Sequence, residues 1–89
     1  MRRPVAMKKV RNAVMELRIE LKELRREGEI ESFNVGSFLS DIIKKETGID
    51  YSPVMITESL NGNVKLKKEV LPIIFRELKL DYELYKEFF

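Results

Sequence analysis

The sequence predicts a small all-α domain of four to five helices, beginning with a long N-terminal amphipathic helix. Three observations support this. Apolar residues recur at helical spacing along most of the chain, residues that start or stop helices separate these stretches, and 89 residues suffice for one hydrophobic core. We therefore expect a single domain over residues 1–89, in which residues 1–27 form a basic arm and a long helix and residues 36–89 form a helical core.

The first helix is predicted from Pro4 to Glu27, with Gly28 ending it. Its apolar residues are spaced alternately three and four apart, as in a heptad repeat: Met7, Val10, Val14, Leu17, Leu21 and Leu24. Two partners fit this seam. A second copy lying parallel would form a homodimer and bring Glu20 opposite Arg25 of its mate, with the interface formed by Val10, Val14, Leu17, Leu21 and Leu24. Alternatively, the seam packs on the chain's own domain.

The next two helices are marked by their end signals. After a loop at 29–35, Ser37 is the expected cap of a helix that runs to about Thr47 and stops at Gly48. Ser52 followed by Pro53 predicts a third helix over 53–60, ended by Asn61 and Gly62. Asn-Gly is also a strong hairpin signal, but neither face of a hairpin turning at 61 and 62 would be apolar, so helix is favoured.

A fourth helix is predicted from about Lys67 to Lys79, and Pro72 near its start is compatible with a first residue as late as Glu69. Asp81 is then expected to cap a last helical turn. The two terminal phenylalanines, Phe88 and Phe89, are expected either to enter the core or to meet a partner.

Composition argues against an enzyme and against a metal or cofactor site. The chain has no Cys and no His, which removes the usual nucleophile, general base and transition-metal ligands. The carboxylates of Asp41, Glu46 and Asp50 lie on a polar helix edge, where solvated surface is the ordinary role. No apolar run reaches the length of about 20 residues that spans a bilayer, so we expect no membrane contact and a cytoplasmic location.

Charge is distributed unevenly along the chain. Residues 1–27 carry nine basic and four acidic side chains, whereas the remainder carries eight basic and eleven acidic ones. No acidic residue occurs among the first five cations of the chain, which are Arg2, Arg3, Lys8, Lys9 and Arg11. This end of the chain would therefore attract a polyanion. The alternative is a solvated basic terminus, and translation from Met7 would remove the first two.

Residues 56–85 resemble the second half of the Cro/C1-type helix-turn-helix, the family of phage, plasmid and bacterial repressor domains. The resemblance lies in I-T-E-S-L-N-G-N-V-K-L-K-K-E-V-L-P-I-I-F-R-E-L-K-L-D-Y-E-L-Y, which is similar to the family's I-S-x-x-x-N-G pattern followed by a helix. Leu78 and Leu80 match apolar positions of the family. Gly48 stands where the family has a glycine between its two motif helices.

The resemblance implies that the helix at 53–60 lies in the major groove of DNA. Its implied base-facing positions are Ser52, Val54, Met55, Thr57 and Glu58. Phosphate contacts would come from the basic N-terminal arm and from Lys65, Lys67 and Lys68.

Two functions therefore remain as hypotheses. The first is a helix-turn-helix transcriptional regulator that binds duplex DNA as a homodimer. The second is a small helical protein–protein interaction module, an adaptor or inhibitor, on a degenerate helix-turn-helix scaffold. The acidic balance of residues 28–89 and the apolar Val54 and Met55 favour the second hypothesis, whereas the resemblance and the basic residues favour the first, which is the function we predict.

Overall fold

The computed structural model describes residues 1–30 and 34–89, and the described residues are helical with no strand. The all-α prediction is confirmed, and the hairpin at 61 and 62 is excluded. The helices are α1 (Arg3–Arg26), α2 (Val35–Thr47), α3 (Pro53–Leu60), α4 (Leu71–Glu77) and α5 (Tyr82–Tyr85), followed by a 3₁₀ turn at Lys86–Phe88.

Helix α1 lies with its heptad seam against the rest of the chain. Val10, Leu17 and Leu21 are buried, and Val14 and Leu24 are half-buried against the same core. Of the two possible partners of this seam, the structure therefore shows the second, because the seam packs against the chain's own domain. A homodimer through these five side chains would require the core to open, so the assignment of this seam to a dimer interface does not fit the fold.

Helix α2 begins earlier than predicted. The Asn34 side-chain oxygen accepts a hydrogen bond from the Ser37 backbone N–H at 3.0 Å, so Asn34 is the cap and the prediction of Ser37 in that role was wrong. Asparagine caps helices as well as serine does, and its earlier position lets one more turn form. Gly48 ends the helix as predicted, with a φ of 78°. The predicted loop at 29–35 includes 31–33, which lie outside the described residues.

Helix α3 has the bounds that the sequence predicts. The Ser52 hydroxyl accepts a hydrogen bond from the Met55 backbone N–H at 3.2 Å, which satisfies one of the free donors of the first turn. The helix ends at Leu60, and Gly62 then takes up a left-handed φ of 81°. Ile56, Ser59 and Leu60 face the core.

The segment between α2 and α3, residues 48–52, runs back along α2. Its contacts join residues that lie one α2 turn apart: Lys44 to Asp50, Ser40 to Tyr51, and Gly36 to Pro53. Helix α3 therefore begins beside the first turn of α2 and not beyond its last. A helix-turn-helix motif in general joins its two helices by a turn of about three or four residues, which would leave α3 at the opposite end of α2.

Helix α4 begins at Leu71, two residues beyond the latest predicted start at Glu69, so the start near Lys67 was wrong. The ring of Pro72 would clash with the carbonyl of the residue four positions earlier, Lys68, if the helix extended that far back. The three lysines that follow α3 therefore lie in a loop and not at a helix start.

The C-terminal residues close the core. Phe75 of α4 is fully buried, and its ring centroid lies 5.5 Å from that of Tyr82, 5.4 Å from that of Tyr85 and 5.2 Å from that of Phe89. Asp81 caps α5 as predicted, accepting a hydrogen bond from the Glu83 backbone N–H at 3.1 Å.

Candidate nucleic-acid interface

Helix α1 carries its charges on two flanks that face different parts of the molecule. The basic flank consists of Arg3, Arg11, Arg18 and Lys22, whose spacings of eight, seven and four residues put them on one side of the helix. Arg11 lines a cleft with Thr57 and Asn61, so this flank adjoins α3. The acidic flank consists of Glu16, Glu20 and Glu23, which line a cleft on the side of α4.

A second cleft, of about 360 Å³, lies where the N-terminal half of α1 meets the end of α3. Its polar lining consists of Arg3, Arg11, Asn61 and Asn63, without a carboxylate. A Cβ added to Gly62 would come within 2.8 Å of a guanidinium nitrogen of Arg3, so the absence of a side chain at this position permits the close approach. The cleft thus offers two cations and the Asn61 amide to an anion, whereas the Asn63 amide donates a hydrogen bond to Glu58.

The basic flank is also free of ion pairs within the described part of the chain, as are Lys65, Lys67 and Lys68. Of the five cations that follow α1 and lie outside the loop at 65–68, four have a carboxylate partner: Lys44 with Asp50, Arg76 with Glu46, Lys79 with Glu20, and Lys86 with Glu83. A carboxylate partner cancels most of a cation's field at distances larger than the separation of the pair. The uncompensated positive charge is therefore concentrated around α1 and α3.

The strongest of these ion pairs joins α4 to α2. Arg76 donates to the Glu46 carboxylate through two nitrogens, one of them at 2.9 Å. These hydrogen bonds hold the pKa of Glu46 below its usual value and raise the pKa of Arg76. This guanidinium is consequently engaged in holding two helices together and is not available to a ligand.

The predicted base-facing residues of α3 are on the surface, but their polar groups are mostly engaged. Thr57 donates its hydroxyl hydrogen to the Pro53 carbonyl at 3.1 Å, and the Ser52 hydroxyl is used in capping. Glu58 is half-buried and accepts a hydrogen bond from the Asn63 amide at 2.8 Å. Val54 and Met55 are 69% and 38% exposed, so the part of α3 that is open to a partner is largely apolar.

Sequence reasoning did not identify Asn61 as a site residue. It follows Val54 by seven residues, so it continues the exposed face of α3 by two turns. Its amide could have been recognised from that spacing, because Asn is a side chain that reads adenine with two hydrogen bonds. Arg18 and Lys22 were likewise missed, although both share the face of Arg11.

The loop after α3 is held against the start of that helix. The Lys67 backbone N–H donates a hydrogen bond to the Tyr51 hydroxyl at 3.0 Å, and the preceding Leu66 is buried. The side chains of Lys65, Lys67 and Lys68 are exposed. Tyr51 is next to the cap of α3, so the hydrogen bond brings Lys67 near the N-terminal end of the helix, whereas Arg3 and Arg11 are at its C-terminal end.

The N-terminal cations do not form one patch. Arg3 and Arg11 adjoin α3, but Lys9 lines the cleft on the opposite flank together with Glu16 and Glu20. Arg2 and Lys8 are exposed and line neither of the two clefts beside α3.

No family model, curated protein or solved structure matches this chain. Within residues 1–30 and 34–89, the acidic side chains do not gather in the threes that would hold a metal ion. In the same residues, each helix is too short or too polar to cross a membrane.

Proposed function

We propose that the chain is a DNA-binding regulator in which α3 lies in the major groove of duplex DNA, as the helix-turn-helix resemblance implies, although its two helices are joined differently from those of that motif. The observation that carries the proposal is the concentration of unpaired cations around this helix. Arg3 and Arg11 stand near one end of α3 and Lys67 near the other. Cations at both ends of a helix that lies in the groove can contact phosphates of both DNA strands that border the groove.

The dimensions of α3 suit a groove. With side chains an α-helix is about 10–12 Å in diameter, which is close to the width of the major groove, and the eight residues of α3 span about 12 Å of its length. Its exposed Val54 and Met55 can contact a thymine methyl group, and Asn61 can bind an adenine edge. Affinity would come mainly from phosphates, with weak discrimination among sequences, because the open face of α3 offers few side chains that read bases.

The direct test is a fluorescence anisotropy titration of the chain with random duplex DNA at two salt concentrations. Binding should weaken steeply as salt rises, because each phosphate contact releases counterions. Replacing Lys65, Lys67 and Lys68 together by Glu should abolish binding. Arg11→Glu should weaken it by roughly tenfold or more, because an attraction becomes a repulsion.

Lys45→Glu is the matched control. Lys45 is exposed on α2 and forms no ion pair with a described residue, so its reversal makes the same change in net charge away from α3. Equal losses for Arg11→Glu and Lys45→Glu would mean that only net charge matters, and the proposed surface would be rejected.

A second candidate function is recognition of a protein through an apolar cleft between α1 and α3. This cleft has a volume of about 230 Å³ and is lined chiefly by Val14, Met15, Val35 and Leu60. Met15 at its edge is 63% exposed. A cleft of this kind suits one apolar anchor residue of a protein ligand. An anisotropy signal that stays flat with DNA at low salt would favour this function over the first.

A further inference from the structure

The outward face of α1, opposite the buried seam, carries a second heptad pattern. Asn12, Met15 and Ile19 follow the spacing of three and four residues, and Val5 precedes them by one heptad. All four are exposed, and the apolar ones strongly so: Val5 at 45%, Met15 at 63% and Ile19 at 58%. A single exposed apolar residue needs no explanation, but Met15 and Ile19 lie one turn apart on the same face and form a contiguous apolar patch beside Asn12.

The charges beside this outward seam differ in sign on its two sides. Arg11 and Arg18 come directly before Asn12 and Ile19, on the basic flank. Glu16 directly follows Met15, and Glu23 lies one heptad further along, on the acidic flank. In a parallel two-stranded coiled coil, the residue before an a position faces the residue five places later on the other strand.

In that register the flanking residues between 11 and 23 form two kinds of contact across the dimer, and both contacts join opposite charges. Arg11 meets Glu16 of the second copy, and Arg18 meets Glu23 of the second copy, each twice by symmetry. An antiparallel arrangement would bring each flank against its own kind, Arg against Arg and Glu against Glu. Complementarity of this kind selects a second copy of the same chain in one orientation.

We propose that α1 forms a parallel homodimer through the seam of Asn12, Met15 and Ile19. Asn12 stands at an a position, where paired Asn amides set register and the two-stranded state. Lys8 and Lys22 occupy the d positions on either side of Met15 and confine the apolar contact to the middle of the helix. The interface leaves the buried seam of α1 in the core and needs no DNA. In the dimer Arg11 is paired with Glu16 of the second copy, so Arg3 is the α1 cation beside α3 that stays unpaired.

The test is sedimentation equilibrium of the full chain without DNA. The wild-type chain should dimerise, and Arg18→Glu and Glu23→Arg should each raise the dissociation constant by about tenfold or more, because each turns two attractions into two repulsions. The double variant Arg18→Glu with Glu23→Arg should return to within about threefold of wild type, since the charges are exchanged and still complementary.

Two controls match these changes in charge. Lys45→Glu and Glu87→Arg alter exposed residues away from α1 and should leave the dissociation constant unchanged. Circular dichroism establishes that each variant keeps its helix content. A mixture of the two single α1 variants should form heterodimers more tightly than either variant dimerises alone. A monomeric wild-type chain, or a double variant as weak as the singles, would overturn the proposal.

Orientation has its own test, because the chain contains no cysteine. Asn12→Cys should form an intermolecular disulfide under mild oxidation, since equivalent a positions face each other only in a parallel dimer. Lys45→Cys serves as the control for random collision. A disulfide yield equal to that of the control would exclude the parallel register. The outcome does not depend on whether duplex DNA binds.

Discussion

The Ser40 hydroxyl on α2 donates a hydrogen bond to the backbone carbonyl of Tyr51, eleven residues further along the chain. Ser40 is buried, with 8% of its surface exposed, and it lies on α2 beside the segment 48–52 that runs back along this helix. This hydrogen bond fastens the segment to the helix and so sets where α3 begins. Everything that α3 presents to a partner depends on that attachment.

Ser40→Ala should lower the free energy of unfolding by about 1–2 kcal/mol, because the Tyr51 carbonyl loses its donor in a partly buried place. Urea unfolding followed by circular dichroism measures the change. Ser37→Ala is the matched control in the same helix, where no side-chain hydrogen bond is lost, and it should change stability by less than about 0.5 kcal/mol. A smaller loss for Ser40 than for Ser37 would contradict the attachment.

Gly36→Ala should destabilise the fold, although alanine favours a helix over glycine by about 1 kcal/mol. The added Cβ would lie 2.7 Å from the Pro53 carbonyl oxygen and 3.1 Å from the Thr57 hydroxyl oxygen, so α3 would have to shift. We expect a net loss of about 1–3 kcal/mol, as for other overpacked contacts. Thermal unfolding gives the sign directly. A higher melting temperature would show that α2 and α3 are not in close contact here.

Tyr51→Phe tests how the lysine loop is held. The substitution removes the Tyr51 hydroxyl, which accepts a hydrogen bond from the Lys67 backbone N–H at 3.0 Å. The loop should therefore become less ordered. The contact is exposed, so stability should fall by less than about 1 kcal/mol, while affinity for duplex DNA should fall by about threefold. Tyr82→Phe also removes a phenol hydroxyl, but far from the loop, and should leave DNA affinity unchanged. If both variants changed DNA affinity equally, the order of the lysine loop would not contribute to DNA binding.

Glu46 should titrate below the ordinary range of a glutamate, because Arg76 holds its pKa down through hydrogen bonds. A depressed pKa in the folded state contributes stability above the unfolded pKa, and the contribution is lost as pH falls through the folded pKa. Arg76→Ala should return the pKa of Glu46 toward its usual value. Carboxyl chemical shifts in an NMR titration report this, with Lys86→Ala as the control that leaves Glu46 unchanged.

Local signals in the sequence were sufficient for the position of α3 along the chain and for the ends of several other helices. The caps at Ser52 and Asp81 and the left-handed turn at Gly48 act through atoms within about four residues, so each can be recognised from its neighbours alone. Two boundaries were missed for equally local reasons. Asn34, which lies three residues before Ser37, is the cap of α2, and Pro72 excludes Lys68 from α4.

The arrangement of the helices could not be predicted in this way. The heptad seam of α1 accepts any apolar partner, because burial of apolar surface has no direction, and only the packed chain shows that its own core takes that place. Likewise, the grouping of Arg3 with Asn61 depends on the path of residues 48–52 back along α2. By itself, therefore, the sequence determined the helices and most of their ends, whereas tertiary packing decided which faces are covered and which charges share a surface.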